Sequence, residues 1–268
     1  MPVTVYYFSG TGNSYYIAKS IIEGISGRLI NIATVIKQNE INNDDNIIGI
    51  VFPVYYGNIP NIIQKFVSKL KQISSKYIFV VVTYGGGKGR SIRVIKKLVK
   101  ANNGRISAAY GIHMPQNTFR KNADKPEVLY QKADTIIPII RRNMQKRASG
   151  FFSTELIADI LQRPLSYLLI PSYKKYIRQT AGGRNNESLM ELQYRMDNTF
   201  HVNDECNGCG HCAEICPVDN IELDRGRPVW LHHCVNCIAC YSFCPQKAIE
   251  SVMVQRSYFY RHPDYSPI

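Results

Sequence analysis

All eight cysteines of this 268-residue chain lie in its last quarter, and they fall into one spacing used twice. Cys206, Cys209, Cys212 and Cys216 read C-x2-C-x2-C-x3-C before Pro217; Cys234, Cys237, Cys240 and Cys244 repeat it before Pro245. A tight C-x2-C-x2-C loop can wrap three corners of an iron–sulfur cube. The x3 spacer and the proline carry the fourth thiolate away, and in this spacing it ligates the other cube. The expected sets are Cys206, Cys209, Cys212 and Cys244 for one [4Fe–4S] cluster, and Cys234, Cys237, Cys240 and Cys216 for a second. Gly208 and Gly210 suit close backbone approach to the sulfides. Zinc ribbons use C-x2-C pairs and leave no third cysteine in each run. A disulfide framework belongs to small secreted domains rather than to an enzyme-sized chain.

Length allows one core of ordinary size plus a small appended module. No apolar run approaches the ~20 residues of a membrane span, and Leu165 to Pro171 is the nearest. The start, MPVTVYYFSG, lacks the basic and apolar regions of a secretion signal, and thiolate clusters suit a reducing cytoplasm. The net charge of +13 is uneven. Residues 1–112 carry 14 basic and 4 acidic side chains, whereas residues 201–250 carry 3 basic and 7 acidic. A basic body beside an acidic module can dock internally or steer an acidic partner. No helix-turn-helix, RNP or finger signature supports nucleic acid. Arg93, Lys96, Lys97 and Lys100 recur at helical spacing opposite Ile92, Ile95 and Val99, as a solvated helix face does.

The first half alternates apolar runs with amphipathic stretches. Strands are expected at Val3–Phe8, Leu29–Ile32, Ile47–Phe52, Tyr77–Thr83 and Ile106–His113. Helices are expected at Tyr15–Ile25, Pro60–Ile73, Ser91–Ala101 and Pro126–Arg147, the last kinked at Pro138. This βα repeat predicts a parallel sheet with helices on both faces. Ligands then bind beyond the carboxyl ends of the strands.

Three segments lie there. Ser9-Gly10-Thr11-Gly12-Asn13-Ser14 joins the first strand to its helix. Its small and hydroxyl residues let N–H and O–H groups converge on a phosphate at a helix N-terminus. Pro53-Val54-Tyr55-Tyr56-Gly57-Asn58 follows the third strand, and Thr83-Tyr84-Gly85-Gly86-Gly87 the fourth. Tyrosines beside glycines offer a flat ring and free backbone to a heterocycle. Ordinary turn chemistry is the plainer reading of the same residues. The Rossmann and Walker patterns both fail here.

Residues 1 to about 145 resemble a flavodoxin, and the whole chain is similar to the flavodoxin–ferredoxin fusions called EFR1 family ferrodoxins. The resemblance implies a flavodoxin-like, doubly wound, five-stranded parallel sheet in the order 2-1-3-4-5, followed by a small α+β bacterial-ferredoxin domain. It implies FMN, with Ser9, Gly10, Thr11, Gly12, Asn13 and Ser14 around the phosphate. Pro53, Tyr55, Tyr56, Gly57, Asn58, Thr83, Tyr84, Gly85 and Gly86 would lie around the ring, with the Gly57 peptide turning to meet flavin N5. Flavodoxins are usually acidic, and this domain is basic.

The expected units are a flavodoxin-like domain (1–147), a helical connector (148–200), a two-cluster domain (201–256) and a tail (257–268). The connector matches no motif; Phe151–Leu161 reads as a short helix, and the segment as a hydrophobic cover gluing the domains. Asp224-Arg225-Gly226 marks a turn between two short strands. Trp230 reads as a cluster shield or a core residue, His211, His232 and His233 as surface or supporting groups, and His113 as bordering the flavin or structural. The tail carries no assignment. The function expected is electron transfer between two [4Fe–4S] clusters and FMN by a cytoplasmic oxidoreductase; the alternative is a carrier between redox protein partners. A homo-oligomer is compatible with both, and no general acid–base pair or nucleophile stands out.

Overall fold

The computed structural model describes residues 2–118, 125–153, 172, 174–184 and 186–267. The first half runs β1 (Val3–Tyr7), α1 (Asn13–Ile22), β2 (Gly27–Asn31), a one-turn α2 (Ile32–Val35), β3 (Ile47–Pro53) and α3 (Asn61–Lys69). It continues with β4 (Tyr77–Tyr84), α4 (Ser91–Ala101), β5 (Ile106–His113), α5 (Pro126–Gln145) and β6 (Gly150–Ser153). The sheet order is β2-β1-β3-β4-β5-β6, all parallel. This is the expected flavodoxin-like sheet with one further edge strand. β6 takes the first residues of the helix expected over Phe151–Leu161 and lies past residue 147. It forms because α5 returns the chain alongside β5 and Phe152 stacks on Tyr110, with ring centroids 5.1 Å apart. The rest of that expected helix, and the apolar run from Leu165 to Pro171, lie outside the described residues.

β3 and β4 are buried along almost their whole length, as central parallel strands covered on both faces must be. One face packs Tyr6, Ile50, Phe52 and Val80 against α3 and α4. The other packs Val5, Phe79, Val81 and Tyr110 against α1 and α5. On α4, Ile95 and Val99 point inward while Arg93, Lys96, Lys97 and Lys100 are exposed. α3 stops at Lys69 because Leu70 turns extended and bridges Ile41. Among the described residues no helix is long and apolar enough to cross a membrane.

The cysteine-rich part is built from short pieces. α6 (Leu189–Tyr194) opens with a capping box between Ser188 and Glu191 and passes into a 3-10 turn, Arg195–Thr199. β7 (His201–Val202) pairs with β10 (Ile249–Glu250). β8 (Ile221–Asp224) and β9 (Arg227–Trp230) form a hairpin whose turn residues Arg225 and Gly226 both have positive φ, the twist-matched two-residue turn. α7 (His211–Glu214) and α8 (Ala239–Ser242) each follow cysteines. The core of this part joins Ile177, Leu192, Met196 and Phe200 to Trp230 and Tyr241. The described connector residues therefore pack with the cysteine module. They also reach the sheet domain, through a hydrogen bond between Tyr194 and Asn61.

Gly49 at the middle of β3 lies against the Phe79 ring, and a Cβ there would strike Cζ. Gly49→Ala should cost about 1–3 kcal/mol by overpacking. Urea unfolding should show a lower midpoint with an unchanged slope.

Candidate functional site

Both cysteine runs sit where a short helix follows a loop in left-handed conformation. Gly208 and Gly210 have φ of 73° and 77°, and the Gly208 Cα packs against the Gly226 carbonyl of the hairpin turn. Cys206, Cys209 and Cys212 curl around a small cavity, and the distant Cys244 completes its sulfur lining; Leu223 and Pro228 of the hairpin close one side. The other four thiols lie deeper. Burial pushes Cys237 up to about 12, and the neighbouring Cys216 adds to the rise. Burial raises Cys240 well above the usual thiol range, followed by the charges of Cys237, Cys216 and Cys212. Cys234 is raised by burial, then by Cys237 and Cys240. Thiolates so placed need compensating positive charge, which a bound metal centre would supply. Among the described residues no three His, Cys, Asp or Glu side chains converge closely enough for one ion.

Backbone N–H groups already face three of them: Asn220 N to Cys216 Sγ at 3.2 Å, Asn236 N to Cys234 Sγ at 3.3 Å and Ala248 N to Cys244 Sγ at 3.4 Å. Trp230 is a core residue stacked on Phe200. Its indole N–H makes no ordinary hydrogen bond and lies beside the Cys240 thiol, whose anion it favours.

The histidines support the loops. Buried Asp197 accepts from Asn220 Nδ2 (2.8 Å) and from the His232 backbone (3.1 Å), and pairs with His232 Nδ1 (2.9 Å). His233 N donates to Asn220 Oδ1 at 2.7 Å. His211 pairs with Glu214 at 3.4 Å. Asp197 escaped sequence reading because it lies 37 residues before Cys234 in a segment without a motif.

The three expected flavin loops do meet at the carboxyl end of the sheet, and they meet the rest of the chain there. Gly10 lies in direct contact with Cys237, and a Cβ on it would strike the Cys237 carbonyl and come within 2.7 Å of Cys237 Cβ. Tyr55 hydrogen-bonds to the Gly10 backbone; burial, then Cys237, Tyr265 and Cys234, raise its phenol well above the usual range. Tyr56, with φ 52°, packs on the core of the cysteine module.

The tail covers the loop from the other side. A Cβ on Gly12, which has φ 103°, would lie 2.5 Å from His262 Cβ and 2.6 Å from Tyr265 Cβ. His262 N donates to Thr11 O (2.7 Å), Tyr265 OH to Ser9 O (2.9 Å) and Tyr260 OH to Asn13 Oδ1 (2.5 Å).

The loop's own hydroxyls are engaged as well. Ser9 Oγ accepts from Gly12 N, Ser14 Oγ bonds Thr83 Oγ1, and Thr11 Oγ1 accepts from Asn117 Nδ2. Around the expected ring position, Arg90 N donates to Gly57 O at 2.8 Å, and Gly89 packs on the Gly57 backbone. Pro53 ends β3, where it registers with Thr83 of β4. Asn58 and Tyr55 exchange backbone bonds, and Gly85 rests on Gln116. Gly86 stands clear of neighbours. His113 stacks on Tyr84 and bonds the Gly85 carbonyl at 3.0 Å.

A family model described as a flavodoxin domain matches residues 4–115, and one described as a 4Fe-4S dicluster domain matches residues 205–249. The chain joins a flavodoxin-like domain to a 4Fe–4S ferredoxin-like domain. The first type of domain carries flavin and the second iron–sulfur clusters, and the fusion has the architecture of an electron-transfer protein. No curated protein matches the chain. Among solved structures, the Trp repressor binding protein of Bacillus subtilis is 11% identical, covering 53% of this chain and 98% of that one (TM-score 0.38). A flavodoxin from the Archaea is 16% identical, covering 54% and 99% (TM-score 0.36). Rubredoxin oxygen:oxidoreductase from Desulfovibrio gigas is 14% identical, covering 54% and 36% (TM-score 0.36).

Cys237, His262 and Tyr265 pack on the glycines that the resemblance puts around the phosphate, and the Gly57 carbonyl accepts from Arg90 N.

Two outcomes follow. Gly10→Ala places a methyl against backbone that has no rotamer to yield. It should cost about 1–3 kcal/mol and expose the loop after Cys234 to hydrogen exchange. Burial lowers His262 from its ordinary value near 6.5, against the pull of Asp264 and Asp134. Docking of the tail is thus complete above that pH and weakens as pH falls through it, because only the undocked imidazole takes the proton. Proteolysis between Arg256 and Ile268 should accelerate at mildly acid pH; a pH-independent rate contradicts this.

Proposed function

We propose that the chain is an electron-transfer protein holding two [4Fe–4S] clusters in crossed ligation, one facing outward and one turned toward the flavodoxin-like domain. The observation that carries the reading is the return of Cys244 to the cavity of the first run and of Cys216 to the second. Each cysteine set then numbers four, the ligand count of one cube. The first cluster would be held by Cys206, Cys209, Cys212 and Cys244, and the second by Cys234, Cys237, Cys240 and Cys216. Each centre takes one electron without breaking a bond.

Cys209 is exposed and Cys237 buried, which supports entry and exit at the first cluster and an internal position for the second. Backbone N–H groups to sulfur favour the reduced, more negative state, whereas burial opposes it. The residues here hold the clusters, keep water from the inner one and fix its distance to the sheet domain.

The carrier reading, with redox proteins as partners, fits better than a small-molecule oxidoreductase, because the flavin loops are closed by protein. A partner would meet an acidic surface, since residues 201–250 carry 7 acidic and 3 basic side chains. Kinship with the EFR1 family fusions, a cytoplasmic setting and the division at about residues 147, 200 and 256 belong to the same proposal.

Protein purified without oxygen should contain about eight irons and eight sulfides per chain, from the ligand count. Cys237→Ser should remove about half of the iron and one of the two electron paramagnetic resonance signals on reduction. A zinc-loaded protein, or one with iron for a single cluster, contradicts the reading.

A further inference from the structure

The glycine-rich loop is already covered by another segment of the same chain. We infer that the segment Tyr258–Tyr265 is a built-in occupant of the Ser9–Asn13 loop and that it and FMN exclude one another there. The inference rests on the flavodoxin-type reading of that loop and not on the number of clusters.

Contacts of several kinds converge on it. Tyr260, His262 and Tyr265 are all buried. Three of their groups donate to the loop: the His262 backbone N–H to Thr11 O, and the Tyr265 and Tyr260 hydroxyls to Ser9 O and Asn13 Oδ1. Asn13 is thereby held by Tyr260 on one side and by the Pro115 carbonyl on the other.

The rings seat the segment on α1 and α5. His262 stacks on Tyr16 with centroids 4.4 Å apart and tilts against Tyr130 at 4.9 Å, and Tyr265 lies 5.2 Å from Tyr15. Farther back, Tyr258 OH donates to Gln116 O (2.9 Å) and Gln255 N to Thr118 O (2.6 Å), so the strap is anchored before it reaches the loop.

Gly12 decides the matter sterically. Its φ of 103° is one that side chains rarely adopt, and the space a Cβ would fill belongs to His262 and Tyr265. The helix N-terminus therefore faces phenol and imidazole rather than an anion. One buried group in the seat is left without a partner, His262 Nε2. An unsatisfied buried nitrogen weighs against the docked state.

A ligand that binds only the open form has an apparent affinity reduced by the open fraction, and removing the competitor restores it. The test uses full-length protein with its clusters. FMN is titrated by quenching of its fluorescence while trypsin cleavage after Arg256 and Arg261 is followed. In the unmodified protein, FMN should bind weakly and accelerate cleavage of the tail. The variant carrying both His262→Ala and Tyr265→Ala should bind FMN about tenfold or more tightly, with iron and sulfide unchanged.

If that variant loses iron, Tyr260→Phe replaces it, because it deletes only the hydroxyl that reaches Asn13; it should raise FMN affinity by a smaller factor. Tight FMN binding to the unmodified protein with the tail still protected overturns the inference. So does failure of FMN to bind any variant that keeps its iron. Loss of the clusters from the unmodified protein would instead count against the electron-transfer proposal and leave this comparison standing.

Discussion

Backbone meets backbone where Gly10 touches Cys237, and the organisation of the molecule depends on that contact. A side chain at Gly10 would hold the second cysteine run away from the sheet. Without one, Val235, Cys237 and Ala239 join the apolar face that Phe52, Ile63 and Val80 present, and the sheet core continues unbroken into the cysteine-rich module. Apolar burial is roughly proportional to area, so this continuity docks the module firmly. The same contact places the deeper cysteine set against the carboxyl ends of β1 and β3, the place where ligands of open α/β sheets bind.

The inner and outer cysteine sets occupy different media. Around the outer one, an exposed Cys209 and the hairpin turn leave water close by. Around the inner one, Trp230, Tyr55 and Tyr265 replace water with rings. Backbone N–H groups face sulfurs of both sets, so the difference between the two settings lies in exposure to solvent. The two proposed clusters would acquire separate properties in this way. The buried Asp197–Asn220–His232 network contributes indirectly: it holds the strand end and loop from which Cys234 departs.

Much of the fold was legible because it is periodic. Ile47–Phe52 and Tyr77–Thr83 hardly alternate, and both became central strands; Ile95 and Val99 recur on one side of α4 and point inward. β6 was not legible, since GFFS is too short to show a period and pairs only because α5 delivers it to β5. The loop glycines were legible as points of close approach, but not what approaches them. Tyr55, expected around a ring, bonds Gly10 beneath the cysteine module. Tyr260, His262 and Tyr265 lie about 250 residues from the loop they touch, and no local rule links them to it.

Spacing along the chain alone singled out the atoms proposed to bind metal, because a thiolate's chemistry is local and eight of them in two matched runs admit few uses. It likewise determined a parallel α/β sheet, because apolar periodicity reports which faces are buried. Which cysteine set lies inside, and what packs on the glycine-rich loop, were decided only in the folded molecule. Both depend on surfaces that come from distant segments and acquire their shape when those segments pack.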